Sequence, residues 1–541
     1  MRKTRIAAFI LVWIPFLITS YMFGHSDSSQ VTQYELTLKV ETDRSCYRPG
    51  ELVEVLGIVE NSTENAVENA SVGIQVVDPS NGTVFLDIVY SLSDGSYNDS
   101  FRLHLASQLG EYKAYVTASA SGYSTVANQT SFSVADLRVH NFDTGLNYST
   151  IQEAIDAPET LNGHTIFAEK GTYYELVVVN KTLSLLGEDS DTTIIDGNGT
   201  GTVVSMQRSN SLLTGFAIRN GSTGIRISPQ SVGALENITI RQNLIADQTG
   251  SGISVFGSDN NRIVNNTVMN CWAGISLSVA ASNIIRRNVI AHNTRGISSG
   301  LLIVMSYSLV SGWRNSIFEN LITENACGIN ITNLEGEMIW HNNFLENTVQ
   351  AYVLQQYQIN VTNVWDDGIE GNYWSDHSLI DTNRDGISNI EYQIETSNID
   401  RYPLMGMFSS FSTPVGCNVN VISNSTIEDF DYFESNGTIR LYVSNATSNQ
   451  NIGFCRICIP HSLMNETYQV TINGMEPLYA DYQIRNNETH TWIYFEYEHS
   501  TLEIVIVPEL ALQIITSLVI MAMTATTIAY RKRHCRSLPS A

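Results

Sequence analysis

From residue 213 to 345 the chain repeats an apolar residue, an asparagine three positions later, and a second apolar residue two positions after that. The five sets are Ile240/Asn243/Ile245, Ile263/Asn266/Val268, Ile285/Asn288/Ile290, Ile317/Asn320/Ile322 and Ile339/Asn342/Phe344, stepping by 23, 22, 32 and 22 residues. A Gly-Ile pair runs in phase, at Gly224-Ile225, Gly252-Ile253, Gly274-Ile275, Gly296-Ile297 and Gly328-Ile329. The 32-residue step holds an insertion around Leu301 to Gly312, read as a flap or an extra coil. A fixed period with short β-branched runs broken by Asn and Gly predicts a parallel β-helix of three short strands per coil. The Ile columns then stack inward as a continuous core. The repeated Asn is expected at a turn, in the left-handed region, forming a side-chain ladder. The repeated Gly is expected to permit the other sharp bend.

The flanks alternate differently. Residues 31–136 give short strands at Glu35-Val40, Leu52-Val59, Ser71-Val77, Val84-Val89, Ser96-Leu105, Gly110-Ala118 and Ser131-Val134, separated by turn residues, which predicts a β-sandwich. An amphipathic helix from Ile151 to Ala157 is placed to cap the open end of the solenoid core. Residues 411–507 alternate again, as in Thr438-Val443 and Trp492-Tyr497, with Asn418 to Asp431 assigned to a first hairpin.

The two ends change the picture. Arg2, Lys3 and Arg5 precede an apolar run from Ile6 to Ile18, so residues 1–25 read as a secretion signal. Residues 510–530 are uncharged and long enough to cross a bilayer, and Arg531, Lys532, Arg533 and Arg536 follow in a basic tail, 531–541, placed inside the cell. Almost everything else is then expected outside, on the extracellular face of a single-pass protein. Asn-x-Ser/Thr sequons, among them Asn61, Asn98, Asn180, Asn237, Asn330, Asn436 and Asn487, fall within that ectodomain.

Composition adds an exclusion. The formal net charge is −25, with 54 Asp+Glu against 29 Lys+Arg, which argues against a nucleic-acid partner. Seven cysteines are too few for a disulfide scaffold. Cys271 and Cys327 read as buried fillers two coils apart, ~9.6 Å by stacking and beyond disulfide reach. Cys417, Cys455 and Cys458 lie in one domain, near enough for one bridge.

Three resemblances follow. The run CYRPGELVEVLGIVENSTENAVENASVGIQVVDPSNGTV, beginning at Cys46, resembles macroglobulin-type and related immunoglobulin-like domains of surface proteins. The run YSTIQEAIDAPETLNGHTIFAEKGTYYELVVVNKTLSLLGEDSDTTIIDGNG, beginning at Tyr148, together with the phased coils resembles NosD-like and pectate-lyase-like right-handed parallel β-helix proteins over about residues 145 to 405. The segment Gly371-Asn372-Tyr373-Trp374-Ser375-Asp376, the loop Asp381-Asn383-Asp385-Gly386 and the run Asp400-Arg401-Tyr402-Pro403-Leu404 look like the closing segment of NosD-like archaeal surface proteins. Residues 411–507 resemble the membrane-proximal sandwich of such proteins. The implied fold is all-β: a right-handed parallel β-helix (145–405) between two β-sandwiches (31–136 and 411–507), with one C-terminal transmembrane helix (510–530).

Candidate chemistry is sparse. Asp381, Asn383 and Asp385 at alternate positions, the carbonyl of Ile387 and Asn389 at the ninth position form an oxygen-ligand pattern for calcium, with Gly386 at the turn. Tyr392 stands where a full EF-hand loop has Glu, so Asp376 or Glu391 is needed to complete the shell. Asp247, Asp259, Glu319, Glu324, Glu335 and Glu337 scatter over different columns, and Arg286, Arg287 and Arg295 have no carboxylate in the same column of the adjacent coil by sequence register. Asp366-Asp367 is the one acidic pair near the solenoid's end. No catalytic or cofactor-binding residues are assigned. Copper would need clustered His, Met or Cys, whereas His292, His341, Met269 and Met338 are dispersed. The expected role is structural or adhesive, with polysaccharide or cell-envelope components as partners. The alternatives are a carbohydrate-active lyase or hydrolase, and a NosD-like copper-protein maturation factor.

Overall fold

The computed structural model describes residues 34–230, 233–293, 299–304 (backbone only), 314–332, 335–354, 362–445, 450–464, 467–498, 500–508, 521 and 523–526. The expected signal at 1–25, Gly296-Ile297, Arg295, most of the 510–530 span and the tail at 531–541 lie outside them. Among the described residues no helix is long and apolar enough to cross a membrane.

Residues up to Asp136 form one unit. Leu36–Thr42, Leu52–Asn61 and Ser96–Arg102 make a three-stranded sheet. Cys46–Tyr47, Val126–Val134, Gly110–Ser119, Ser71–Val77 and Thr83–Tyr90 make a five-stranded one, in that order. Alternation does the work here: Val53, Val55 and Val59 face Val72, Ile74 and Val76 across a dry core. The strand Cys46–Tyr47 was not expected, because two residues carry no period.

The second unit begins at Leu137. Its core is a parallel β-helix of three sheets. The first sheet stacks Thr165–Ala168, Ser184–Gly187, Leu212–Thr214, Thr239–Arg241, Arg262–Val264, Ile284–Arg286, Ser316–Phe318 and Met338–Trp340. The second runs from Gly171–Tyr173 to Tyr373–Trp374, and the third from Val177–Val179 to Val349–Leu354. The register stacks Ile240, Ile263, Ile285, Ile317 and Ile339, all fully buried.

The asparagines form ladders at three turns. In the first, each Oδ1 accepts the backbone N–H of the preceding rung, from Asn243 through Asn266, Asn288, Asn320, Asn342 and Asn372. Asp400 ends it, accepting the N–H of Asn372. A second ladder climbs Asn261, Asn283, Asn315, Glu337, Asn363 and Asn398, and a third Asn293, Asn325 and Asn347. In the second, a glutamate replaces an amide. Burial pushes the Glu337 carboxyl up to about 8, against the bonds from Asn315, which favours the protonated form in this rung.

Three expectations need correction. The left-handed residue precedes the ladder Asn: Gln242, Asn265, Arg287, Glu319 and His341 have φ of 53° to 59°. The ladder side chain must point inward to reach the next rung, so the bend falls one residue earlier. The column glycines serve close packing, not a bend: a Cβ on Gly252 would stand 2.5 Å from Val268 Cγ1 and 2.7 Å from the Gly274 carbonyl oxygen. The proposed insertion starts too early, because Ser299–Val304 is the regular strand of its coil, and Leu301 pairs with Ile275. The in-phase pair there is Gly300-Leu301, and the rest of the proposed insertion, from residue 305, lies outside the described residues.

The capping helix spans Ile151–Asp156, with Thr150 accepting the Glu153 N–H and Ala157 as its C-cap. Glu175 accepts the N–H groups of Ile151 and Gln152, and the Lys181 ammonium donates to the carbonyls of Ile155, Ala157 and Thr160. Opposite charges thus satisfy the two ends of a helix too short to stand alone.

The chain ends in a sandwich of a five-stranded sheet (Met407–Ser412, Asn418–Ser423, Ile452–Pro460, His490–Glu498, Tyr479–Asn486) and a four-stranded sheet (Ser425–Phe433, Thr438–Asn445, Leu502–Pro508, Tyr468–Ile472). Only the first half of Asn418 to Asp431 belongs to the first hairpin, because Ser425–Phe433 lies in the other sheet. The chain crosses between sheets at Asn424, and Asn418–Ser423 pairs with Met407–Ser412 instead. Cys417, Cys455 and Cys458 are free thiols. Cys455 faces the sandwich core, where burial pushes its thiol up to about 11.

Candidate functional site

The region where the last coil meets the sandwich gathers most of the polar side chains singled out by sequence. Asp400 is buried there. It accepts the Trp374 indole N–H at 2.8 Å and the backbone N–H groups of Asn372 and Tyr402. Burial raises its carboxyl to about 7 against those bonds. Gly371 makes the approach possible, since a Cβ there would lie 1.9 Å from Asp400 Oδ1. The GNYW and DRYPL motifs are therefore two halves of one buried cap. Trp374, packed between Phe344 and Tyr392, closes the solenoid core.

Beside it lies a node that sequence reading missed. Glu370 Oε1 accepts from Arg456 Nε at 2.8 Å and Trp492 Nε1 at 3.0 Å, while His341 Nε2 stands 3.0 Å from its Oε2. Burial alone would raise the carboxyl; His341 and Arg456 overcome it and hold Glu370 at about 2. His341 stacks on Phe408 at 4.0 Å. Asn343 exchanges two hydrogen bonds with the Phe408 backbone. The Asp366-Asp367 pair caps the adjoining turn: Asp366 accepts the Gly368 N–H, and Asp367 those of Ile369 and Glu370. Of these carboxylates Glu370 is the one that reaches the sandwich, through Arg456 and Trp492.

The calcium-type loop packs against the same sandwich. Asp381 accepts the N–H groups of Asp385 at 3.2 Å and Gly386 at 2.8 Å, with Gly386 at φ +80°. Asn383 Nδ2 donates to Asp385 Oδ2, and Asn389 Nδ2 to Asn383 Oδ1. Burial, and then the Asp385 charge, raise the Asp381 carboxyl. Ile387 buries its side chain with Leu404, Phe408 and Phe454. Asp376 accepts the Tyr392 hydroxyl, and Glu391 is exposed. Among the described residues no group of three His, Cys, Asp or Glu converges as a metal cluster. His292 pairs with Glu324.

One sequence inference fails. Glu319 does lie in the column of Arg287, one position beyond the Phe318 that stacks on Arg286, and both guanidinium groups pair with it. The long coil had hidden that register.

An all-β protein with a ladder-braced parallel β-helix joined to a terminal sandwich is the class these elements define. Residues 157–379 match the family model described as periplasmic copper-binding protein (NosD), and residues 38–134 match the MG2 domain. The chain thus carries a NosD-family domain and an immunoglobulin-like MG2 domain. A cell surface glycoprotein of Methanothermus fervidus is 31% identical over 168 residues, 29% of this chain. That match spans 27% of the relative's length. Among solved structures, a family 28 exopolygalacturonase of Yersinia enterocolitica is 12% identical, covering 62% of this chain and 79% of its own, with a TM-score of 0.27. An alginate lyase of Paenibacillus sp. is 11% identical, covering 41% and 94%, with a TM-score of 0.22. Those TM-scores are too low to bear on activity.

Proposed function

We propose that this chain is a surface-displayed β-helix protein that binds polysaccharide, with the 510–530 segment as its membrane anchor and the basic tail inside. The observation that carries the binding role is the solenoid itself. Its outward side chains recur in register at every rung, ~4.8 Å apart, so a linear polymer meets a periodic surface braced from within by three ladders. The cell surface glycoprotein relative supports the location. So do the sequons: every described sequon asparagine is exposed or half-buried, and none of the buried asparagines begins one. Register explains much of the second half, because two residues after Asn243, Asn266, Asn288, Asn320 and Asn342 stands a buried apolar side chain of the core.

The test is binding of the full chain, in mild detergent, to a panel of neutral and acidic polysaccharides. Saturable binding to at least one is expected. No binding across the panel contradicts the reading, and stoichiometric copper uptake would favour the maturation role instead.

Calcium at the 381–389 loop belongs to the same proposal, as a clip on the junction with the sandwich. Asp381 and Asp385 bring two carboxylates together in a half-buried turn, and oxygens of Asn383, Ile387 and Asn389 extend the donor set. Calcium is expected to raise the melting temperature by several degrees, chelator to reverse this, and Asp385→Asn to abolish it. An unchanged melting temperature contradicts the clip.

A further inference from the structure

The outer face of the first solenoid sheet differs in charge from the rest of the chain. The middle residue of each strand points inward, so the first and third point out. From Thr239 to Trp340 the two outward columns are Thr239, Arg262, Ile284, Ser316, Met338 and Arg241, Val264, Arg286, Phe318, Trp340. They hold three arginines and no carboxylate, in a protein of net charge −25. Arg241 and Arg262 are exposed, and among the described residues neither meets a carboxylate. Arg286 lies over the Phe318 ring at 5.1 Å, its guanidinium held by Glu319. Phe318 and Trp340 stack at 4.7 Å with 7° between their planes, both half-buried. No sequon asparagine stands in either column. Among the described residues the solenoid's sequons fall in its turns, at Asn180, Asn198, Asn220, Asn237 and Asn265, on the third sheet at Asn330, and at Asn147 on the far end strand of the first sheet, outside these rungs.

We propose that this face is the binding site for an acidic polysaccharide, with Arg241 and Arg262 taking carboxylates of the polymer and the outward edges of Phe318 and Trp340 making an apolar contact beside them. The inference rests on the polysaccharide-binding reading and adds the face and the ligand class. Neighbouring rungs place Arg241 and Arg262 on adjacent strands in opposite columns, a spacing that engages successive acidic groups along one chain. The planar guanidinium pairs with carboxylate in a bidentate fork. Phe318 stands between the Arg286 guanidinium and the Trp340 ring, so the pair turns ring edges outward and offers an apolar contact beside the arginines that a small mobile anion would not use. From Thr239 to Trp340 the two outward columns carry no acceptor sequon, so no glycan is attached on the face itself.

The experiment is affinity electrophoresis of the full chain through gels containing polygalacturonate or neutral dextran, with melting temperatures recorded alongside. Wild type is expected to be retarded by polygalacturonate and not by dextran, less so as salt rises. The Arg241→Ala/Arg262→Ala variant is expected to bind at least tenfold more weakly at unchanged melting temperature, Arg241→Lys/Arg262→Lys to fall between, and Phe318→Ala to weaken binding at constant salt dependence. Arg226→Ala, exposed on the third sheet, is the control and is expected to bind like wild type. Undiminished binding by the double alanine variant overturns the face while leaving the polysaccharide reading intact. Retardation by dextran alone overturns the acidic ligand, and failure of wild type to bind anything in the wider panel overturns both proposals. Equal affinity for single-stranded DNA would mark a general polyanion surface and overturn the proposal as stated.

Discussion

Replacing Asn320 by alanine is expected to cost about 4 kcal/mol or more, among the largest effects a single substitution has in this chain. Asn320 Oδ1 accepts both the backbone N–H and the Nδ2 of Asn288, at 2.9 and 3.0 Å. Its Nδ2 donates to the carbonyls of Ile285 and Phe318 and to Asn342 Oδ1. Alanine leaves the Asn288 N–H and the Ile285 carbonyl short of partners in a fully buried turn, where each unmet group costs about 1–3 kcal/mol. The damage should not stay local, because each coil is supported by its neighbours. Asn330→Ala is the contrast. That side chain is half-buried on an outward face and, among the described residues, accepts a hydrogen bond from the Thr332 hydroxyl alone. Denaturant midpoints should separate the two variants clearly, with Asn330→Ala within about 1 kcal/mol of wild type. Equal midpoints would mean the ladder contributes no stability.

Arg456→Ala is expected to destabilise the junction by about 3–5 kcal/mol, by leaving Glu370 buried without its guanidinium partner. The loss should appear as earlier proteolysis between solenoid and sandwich, before the solenoid itself melts. Glu370→Gln/Arg456→Met should recover much of it, since both charges then leave together. The pH dependence has a definite sign. Glu370 titrates near 2 in the folded chain, below the ordinary glutamate value near 4.5. Its stabilising contribution is therefore complete above the ordinary value and is lost as pH falls from there through about 2. Wild type should loosen at the junction over that acid window, and Arg456→Ala should show a shallower fall. A junction insensitive to both acid and the substitution would contradict the role assigned to this node.

Much of the solenoid could be read from period alone. An inward column every 22 residues leaves little freedom, and the Ile240-to-Ile339 column and its Asn243-to-Asn342 ladder emerged together from one phase. The second and third ladders carry the same step, at Asn261, Asn283 and Asn315 and at Asn293, Asn325 and Asn347. They were missed because Glu337 interrupts one and Cys271 occupies the rung before Asn293 in the other. The Arg286/Arg287/Glu319 contact was lost to the same difficulty: the long coil breaks the count on which register depends. The Glu370 node has no local signature at all. Arg456 lies 86 residues away and Trp492 lies 122 away, so the contact exists only once two separately folded layers meet. By contrast the 381–389 turn was legible because its bonds run between neighbours in sequence, from Asp381 to Gly386 and from Asn383 to Asp385.

The most direct measurement is the chain length of a polysaccharide the protein binds, followed by size-exclusion chromatography through a prolonged incubation at stoichiometric protein. A binding scaffold predicts a polymer that co-elutes with the protein and keeps its full length, with no new reducing ends and no unsaturated products absorbing in the ultraviolet. A polymer that shortens with time would contradict that account and make the solenoid a lyase or hydrolase.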